Sequence, residues 1–306
     1  MDSSSTQPID PPRNDPRAHR GSIALEQALI VSQQAHQGEQ FTLVLHAPEI
    51  ASLARPGQFV HLRAHDSLPM RRPLSLLAAD PESGRISLLY KVVGHGSKLL
   101  SQRSAGDTLS VLGPIGNGFS IDDTFHRPLL IGGGVGMPPM LFLAERLTVE
   151  RPALAPFVVL GSEVPFPFQP IASRRLVPGL PAAASHAMPG LEALGVDSRL
   201  ASLQGYSGCL NGYVTDLARA WLRSLPADEL ATVRLQACGP TPMLRACTAL
   251  AAEFGIACEV CLEEYMACAV GGCAGCVVRT RGAAGDAMRR VCVDGPVFDA
   301  RSIVWV

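Results

Sequence analysis

The chain has 306 residues, 47% hydrophobic and 17% charged, with a formal net charge of −1. That is enough for two ordinary domains and a small module, and it excludes a nucleic-acid surface, which needs a basic excess. It also excludes a membrane-spanning helix of roughly 18 apolar residues, because the longest apolar run, Leu129 to Leu143, is broken by four glycines and two prolines.

Residues 1–21 mix Asp, Pro, Ser and Arg and lack the apolar stretch of a secretory signal. They are expected to form a disordered tail, and the protein is expected in the cytoplasm. Residues 22–123 read as short strands between turns: Phe41 to His46, Gln58 to Leu62, Arg85 to Val93 and Thr108 to Leu112. Such spacing predicts a small antiparallel barrel. Three signals in it suit a flavin nucleotide. Arg72-Pro73-Leu74-Ser75, placed after a strand, offers a guanidinium that can grip a pyrophosphate and a serine that can reach a ring edge; a merely solvated arginine is the plainer reading. Val93-Gly94-His95-Gly96-Ser97 opens a helical stretch, where glycines, a hydroxyl and a helix N-terminus make an anion site. Leu112 to Phe119 is a glycine-rich turn.

From residue 124 to 254 the pattern becomes strands alternating with helices, which predicts a parallel sheet with crossover connections. Strands are expected at Pro128 to Ile131, Phe157 to Gly161 and Thr232 to Ala237, and helices at Met140 to Leu147, Leu217 to Leu225 and Thr241 to Phe254. Gly132-Gly133-Gly134-Val135-Gly136 ends the first strand and opens a helix, a place for a dinucleotide pyrophosphate; a proline replaces the third glycine of the full fingerprint. Glu163, after the next strand, can accept from ribose hydroxyls, which favours NAD, but Arg174 and Arg175 are near enough in sequence to leave NADP open. Cys238-Gly239 ends a later strand, where ligands of open α/β sheets bind. Cys238 packs against a nicotinamide or is simply a buried thiol.

The stretch 255–306 holds six of nine cysteines. Cys268-x4-Cys273-x2-Cys276, then fifteen intervening residues and Cys292, is the plant-type ferredoxin spacing. Each iron of a [2Fe–2S] cluster needs two thiolates, and small loop residues (Ala269, Gly271, Gly272, Ala274, Gly275) let the backbone approach the sulfurs. Zinc sites more often show two short paired spacings. Cys258 and Cys261 form a further C-x2-C pair, as rival ligands or as buried small hydrophobes.

Together these motifs resemble the ferredoxin–NADP reductase superfamily, and more closely the electron-transfer subunits of B-type dihydroorotate dehydrogenases. The resemblance runs from Gly21 to Phe298 and is most specific in Glu263-Glu264-Tyr265-Met266-Ala267-Cys268 through Cys276, in Val291 to Phe298 and in Gly212 to Asp216. It implies an N-terminal antiparallel FAD-binding barrel, a Rossmann-like parallel-sheet NAD domain and a small C-terminal [2Fe–2S] module. Arg72, Pro73, Leu74 and Ser75 would then hold FAD, Gly96 and Ser97 its phosphates, and Gly134, Gly136, Cys238 and Gly239 the nicotinamide path. It also implies a flavin-containing catalytic partner, dihydroorotate dehydrogenase of pyrimidine biosynthesis, with Ser75 and Cys238 at the hydride transfer. The chain departs from the family at Tyr265 and Val293, where a basic residue is expected. Both flank the cluster loop, so the departures bear on the partner: a reductase serving an oxygenase, sulfur or ferredoxin system is the alternative. A zinc-bound, non-redox scaffold is the reading from another class.

Overall fold

The computed structural model describes residues 21–122, 124–283 and 285–305. Apart from Gly21, the expected tail lies outside them. Six strands, β1 (Ala24–His36), β2 (Gln40–His46), β3 (Phe59–Leu62), β4 (Arg72–Asp80), β5 (Arg85–Lys91) and β6 (Thr108–Ile115), close a barrel in the order β1-β2-β5-β4-β3-β6. Alternation along each strand turns Leu43, Leu45, Val60, Leu62, Leu76, Ile86 and Leu88 inward. Helices α1 (Pro48–Leu53) and α2 (His95–Ser101) lie in the connections.

Two barrel strands escape the sequence pattern. β1 carries Glu26, Gln27, Gln33 and Gln34 and is half solvated, so its alternation is diluted. Arg72-Pro73-Leu74-Ser75 does not follow a strand but lies inside β4. There β4 pairs with β3 alone; its ladder with β5 starts only at Leu76. Pro73 is tolerated because the stretch has one open side, where a missing N–H costs no ladder bond.

The second layer is a seven-stranded sheet. Its elements in chain order are β7 (Arg127–Gly133), α3 (Met137–Glu150), β8 (Phe157–Gly161), a short ribbon β9 (Ile171–Ala172) and β10 (His186–Ala187), α4 (Pro189–Ala193), β11 (Asp197–Ser202), β12 (Leu210–Asn211), α5 (Val214–Ser224), α6 (Ala227–Leu230), β13 (Val233–Cys238), α7 (Thr241–Phe254) and β14 (Ala257–Cys261). The order is β12-β11-β8-β7-β13-β14-β17, parallel except for β17 (Val297–Asp299), which runs antiparallel to β14. β7 is apolar throughout because both faces are covered: Leu129 and Ile131 share a core with α5 and α7, and Leu130 one with α3. Phe142 of α3 crosses into the barrel core, burial worth roughly 2–3 kcal/mol that fixes the two layers together.

The chain leaves the sheet at Cys261 and returns opposite it at Val297. The excursion between them carries the cysteine loop and a hairpin of β15 (Val277–Gly282) and β16 (Gly285–Arg290).

Candidate functional site

The excursion brings Cys268, Cys273, Cys276 and Cys292 into one loop region, in two pairs. The Cys273 N–H donates to Cys268 Sγ at 3.4 Å, and Cys276 Sγ donates to Cys292 Sγ at 3.3 Å. The Gly275 N–H donates to Cys273 Sγ, also at 3.4 Å. Ala269, Gly271 and Ala274 all take positive φ (57°, 82° and 52°), the conformation that turns successive N–H groups inward; for the two alanines it is sterically costly. Burial pushes the Cys268 thiol up, but the N–H groups of Cys273, Val270 and Gly272 and the Cys273 thiol outweigh it and bring the pKa down to about 7. Cys292 goes the other way, pushed up to about 12 by burial and by the neighbouring Cys276 thiol.

Among the described residues, no three His, Cys, Asp or Glu side chains converge as one ion requires. Two pairs of thiols under backbone donors fit a binuclear cluster better than a zinc ion. Cys258 and Cys261 are not rivals. They lie in β14, Cys258 in the core against α7 and Cys261 donating to the Gly57 carbonyl at 3.7 Å. Cys209 and Cys247 are likewise buried.

The module is seated on the barrel. Phe59 and Ile115 pack with Ala269, Cys276, Cys292 and Phe298. The glycine-rich turn after β6, read above as a flavin signal, serves this joint. Asn117 Nδ2 donates to the carbonyls of Val293 and Asp294 (3.2 Å each), and Gln58 Nε2 donates to the Gly116 carbonyl at 2.7 Å. Gly116 has φ 87°, and a Cβ there would stand 2.7 Å from the Gly295 oxygen.

Beside the module, the open side of β4 faces the start of α2. Arg72 Nη1 donates to the Met70 carbonyl at 2.7 Å, and the guanidinium lies against Gly96, where a Cβ would come within 2.6 Å of Nη2. Glycine is what lets the cation reach this helix start. The structure thus joins Arg72 to Gly96 across 24 residues of sequence. Ser97 is also here, but its hydroxyl caps its own helix, accepting from Val93 and Gly94 N–H at 3.0 and 3.1 Å and donating to the Gly94 carbonyl. Ser75 sits two residues along the strand from Pro73, on the same outward face.

The third place is the carboxyl end of β7 and β13. Gly132 pairs with Cys238. Gly134 has φ 54° with open space around it, and a Cβ on Gly136 would lie 2.5 Å from the Cys238 carbonyl carbon and the Gly239 nitrogen. Gly134, Gly136, Cys238 and Gly239 therefore form one corner, which a larger residue at 136 would wedge open. Cys238 is buried, and the adjacent Cys261 thiol followed by burial holds its pKa well above the ordinary value. Glu163 is exposed beyond β8. Arg175 is not beside it: it pairs with Asp197 at 2.5 Å, at the opposite end of the sheet, where Glu192 also accepts from the Arg174 N–H. Proximity in sequence misplaced both arginines.

Two residues escaped the sequence reading. Glu263 stands close enough to Cys238 to raise its pKa, and its own carboxyl is shifted up, first by burial and then by Glu264. His61 is wholly buried on β3. A lone histidine in a strand carries no sequence signal; Glu263 was read only as part of a motif. Of the two departures, Tyr265 is 94% exposed beside the loop, whereas Val293 packs beneath Gly271.

Residues 24–119 match the family described as the oxidoreductase FAD-binding domain, and residues 263–304 match the iron–sulfur cluster binding domain of dihydroorotate dehydrogenase B. The chain is 37% identical over 287 residues to the dihydroorotate dehydrogenase B (NAD(+)) electron transfer subunit of Bacillus caldolyticus, covering 92% of this chain and 99% of that one. It is 32% identical to the corresponding subunit of Shouchella clausii, over 90% and 96%. Among solved structures it is similar to one reported for an NADH-dependent reduced ferredoxin–NADP oxidoreductase (TM-score 0.74, 29% identity, 92% of this chain and 90% of that one). A ferredoxin NADP+ reductase from Neisseria gonorrhoeae, at 17% identity and TM-score 0.52 over 77% of this chain and 93% of that one, shares the fold. By this identity over nearly its whole length, the chain belongs to the family of dihydroorotate dehydrogenase B electron transfer subunits.

Proposed function

We propose that this chain is an oxidoreductase subunit that passes electrons between a flavin-containing dihydroorotate dehydrogenase catalytic subunit and NAD, using one [2Fe–2S] cluster and one FAD, in pyrimidine biosynthesis. The observation that carries the reading is the pairing of four thiols under inward N–H groups, on a module packed directly against the barrel. Cys268 and Cys273 would hold one iron, Cys276 and Cys292 the other.

A flavin supplies the exchange between single electrons and hydrides; the residues here supply position. Arg72 would neutralise the FAD pyrophosphate at the Gly96 corner, and Ser97 contributes there through its backbone, its hydroxyl being used in the cap. Pro73, Leu74 and Ser75 would line the ring along the open side of β4, with the Ser75 hydroxyl at its edge. Gly134 and Gly136 leave room for the NAD pyrophosphate, and Gly239 and the enclosed Cys238 thiol would form an apolar, uncharged floor for the nicotinamide, keeping water from the hydride. Exposed Glu163, with Arg175 committed to Asp197 at the far edge, favours the free ribose hydroxyls of NAD over a phosphate. All nine cysteines are unpaired thiols, which suits the reducing cytoplasm.

The test is the visible spectrum of anaerobically purified protein, with iron, sulfide, flavin and zinc assayed on the same sample. About two irons and one FAD per chain are expected, and dihydroorotate-dependent NAD⁺ reduction on adding the catalytic subunit. A colourless chain that binds zinc and no flavin after reconstitution would sink the reading.

A further inference from the structure

All four positions of β3 are buried because both of its faces are covered. Val60 and Leu62 enter the barrel core, while Phe59 packs with Cys276 and Cys292 of the module. Alternation places His61 on the Phe59 face. In register it lies between Pro73 of β4, on the proposed flavin strand, and Leu112 of β6, which also packs against the module. The imidazole therefore stands between the strand proposed to hold the flavin and the module proposed to hold the cluster. It is 0% exposed, and its one polar contact is a loose one with the Arg71 backbone, short of full hydrogen-bond geometry at either nitrogen. A buried ring so poorly paired is a cost that calls for a compensating role.

The charges around it explain why it is neutral. Arg71 and Arg72, at the start of β4, face it; Arg71 also donates to the His61 carbonyl at 3.2 Å. β6 offers only Leu112, and the titratable groups on the module side, Cys276 and Cys292, lie beyond Phe59. Burial first, then the Arg71 charge, bring the ring down to about 4; the Arg71 backbone contact opposes them, and the Arg72 charge adds a smaller lowering. A new negative charge nearby acts in the opposite sense, and the low-dielectric surroundings make its effect large.

Resting on the cluster reading above, we propose that His61 is the redox-linked proton acceptor of this junction: when one electron enters the [2Fe–2S] centre, one proton from solvent binds the neutral imidazole and offsets the added charge. No bond other than that N–H forms, and on reoxidation the proton returns to solvent.

The experiment is a spectroelectrochemical titration of the cluster in the complete complex, from about pH 4.5 to about pH 8, on the wild type and on His61→Gln. The wild-type potential is expected to fall as pH rises from the ordinary imidazole range's acid side and to level once the reduced-state ring has lost its proton near or above about 6.5. His61→Gln, polar but not titrating, is expected to stay level throughout, at the wild-type high-pH value. Should that variant fail to fold, His61→Phe fills the same dry site without a ring nitrogen and carries the same expectation. A level wild-type curve, or an unchanged slope in the variant, overturns the proposal. Iron assayed on the same samples separates the readings: a level curve at about two irons per chain overturns proton uptake alone, whereas a chain that binds no iron overturns the cluster reading and this proposal with it.

Discussion

The loop of Cys268 and the strands β13, β14 and helix α7 hold the same functional group in opposite surroundings. In the loop, three backbone N–H groups face one sulfur and bring its pKa down to about 7 despite burial. In the packed sheet there are no such donors: burial alone pushes Cys247 up to about 12, and burial, then Cys247, raise Cys258. The thiolate is the ligand, so these donors ready Cys268 for metal, whereas Cys292, pushed up to about 12, depends on its place beside Cys276 in the loop rather than on an easily lost proton. The loop accepts positive φ at two alanines to present those donors, while the sheet uses its cysteines as small apolar fillers.

The hardest test of that contrast is to remove one thiol from each place. Cys273→Ser is expected to take iron from about two per chain to none and to abolish electron delivery to the partner, with FAD retained. Cys258→Ala is expected to keep the iron and cost only about 1 kcal/mol of stability. Iron and flavin assays read both. Retained iron in Cys273→Ser, or lost iron in a folded Cys258→Ala, would break the comparison.

His61 extends the contrast to a base. Its folded pKa, about 4, lies below the ordinary 6.5 because of burial and then Arg71. The sign follows: the unfolded chain binds the proton first, so the contribution is full above pH 6.5 and is lost as pH falls toward 4. The loss should approach about 3 kcal/mol. Urea unfolding of oxidised protein at pH 7 and pH 4.5 measures it, and His61→Gln should remove most of the difference. An equal pH dependence in the variant would assign the acid sensitivity to other groups.

Next in size is Arg72. Losing a charge-assisted contact to a pyrophosphate costs about 1.5–3 kcal/mol, so Arg72→Ala should weaken FAD binding roughly 10- to 100-fold. Gly96→Ala should weaken it less, because a guanidinium can shift where backbone cannot. Flavin released on dilution, followed by fluorescence, ranks the two. The reverse order would mean that the helix start, and not the cation, governs the site.

How much of this was legible depended on whether the signal was local. Cys268, Cys273 and Cys276 announce a cluster by spacing, and Phe157–Gly161 and Thr241–Phe254 were readable to the residue because buried strands and capped helices write continuous patterns. β1 was not, because half of its residues face water. The Arg72–Gly96 contact and the docking of Asn117 on Val293 and Asp294 join distant segments, which no window along the chain can show. Arg174 and Arg175 failed in the opposite way: twelve residues from Glu163 in sequence is the far side of the sheet in space, because the chain runs back to the start of β11. His61 was silent because its meaning lies in its burial and in its neighbours across the sheet.

Glu263 gives the smallest and most discriminating effect. Its side chain is exposed near Cys238, yet enough protein surrounds the carboxyl that burial, and then the Glu264 charge, raise its pKa above the ordinary 4.5. The folded chain then keeps this proton to higher pH than the unfolded chain. Its contribution is fully present below the unfolded value and is lost as pH rises through the folded one. Above that window the ionised carboxylate is a small burden, discounted because the group is partly solvated. Glu263→Gln should therefore raise the thermal midpoint by about 1–2 °C at pH 8 and leave it unchanged near pH 4. Differential scanning fluorimetry at the two pH values is sufficient. An equal gain at both would trace the effect to packing rather than to the proton, and would place Glu263 with the solvated acids instead of the donor-poor groups that Cys238 and Cys247 represent.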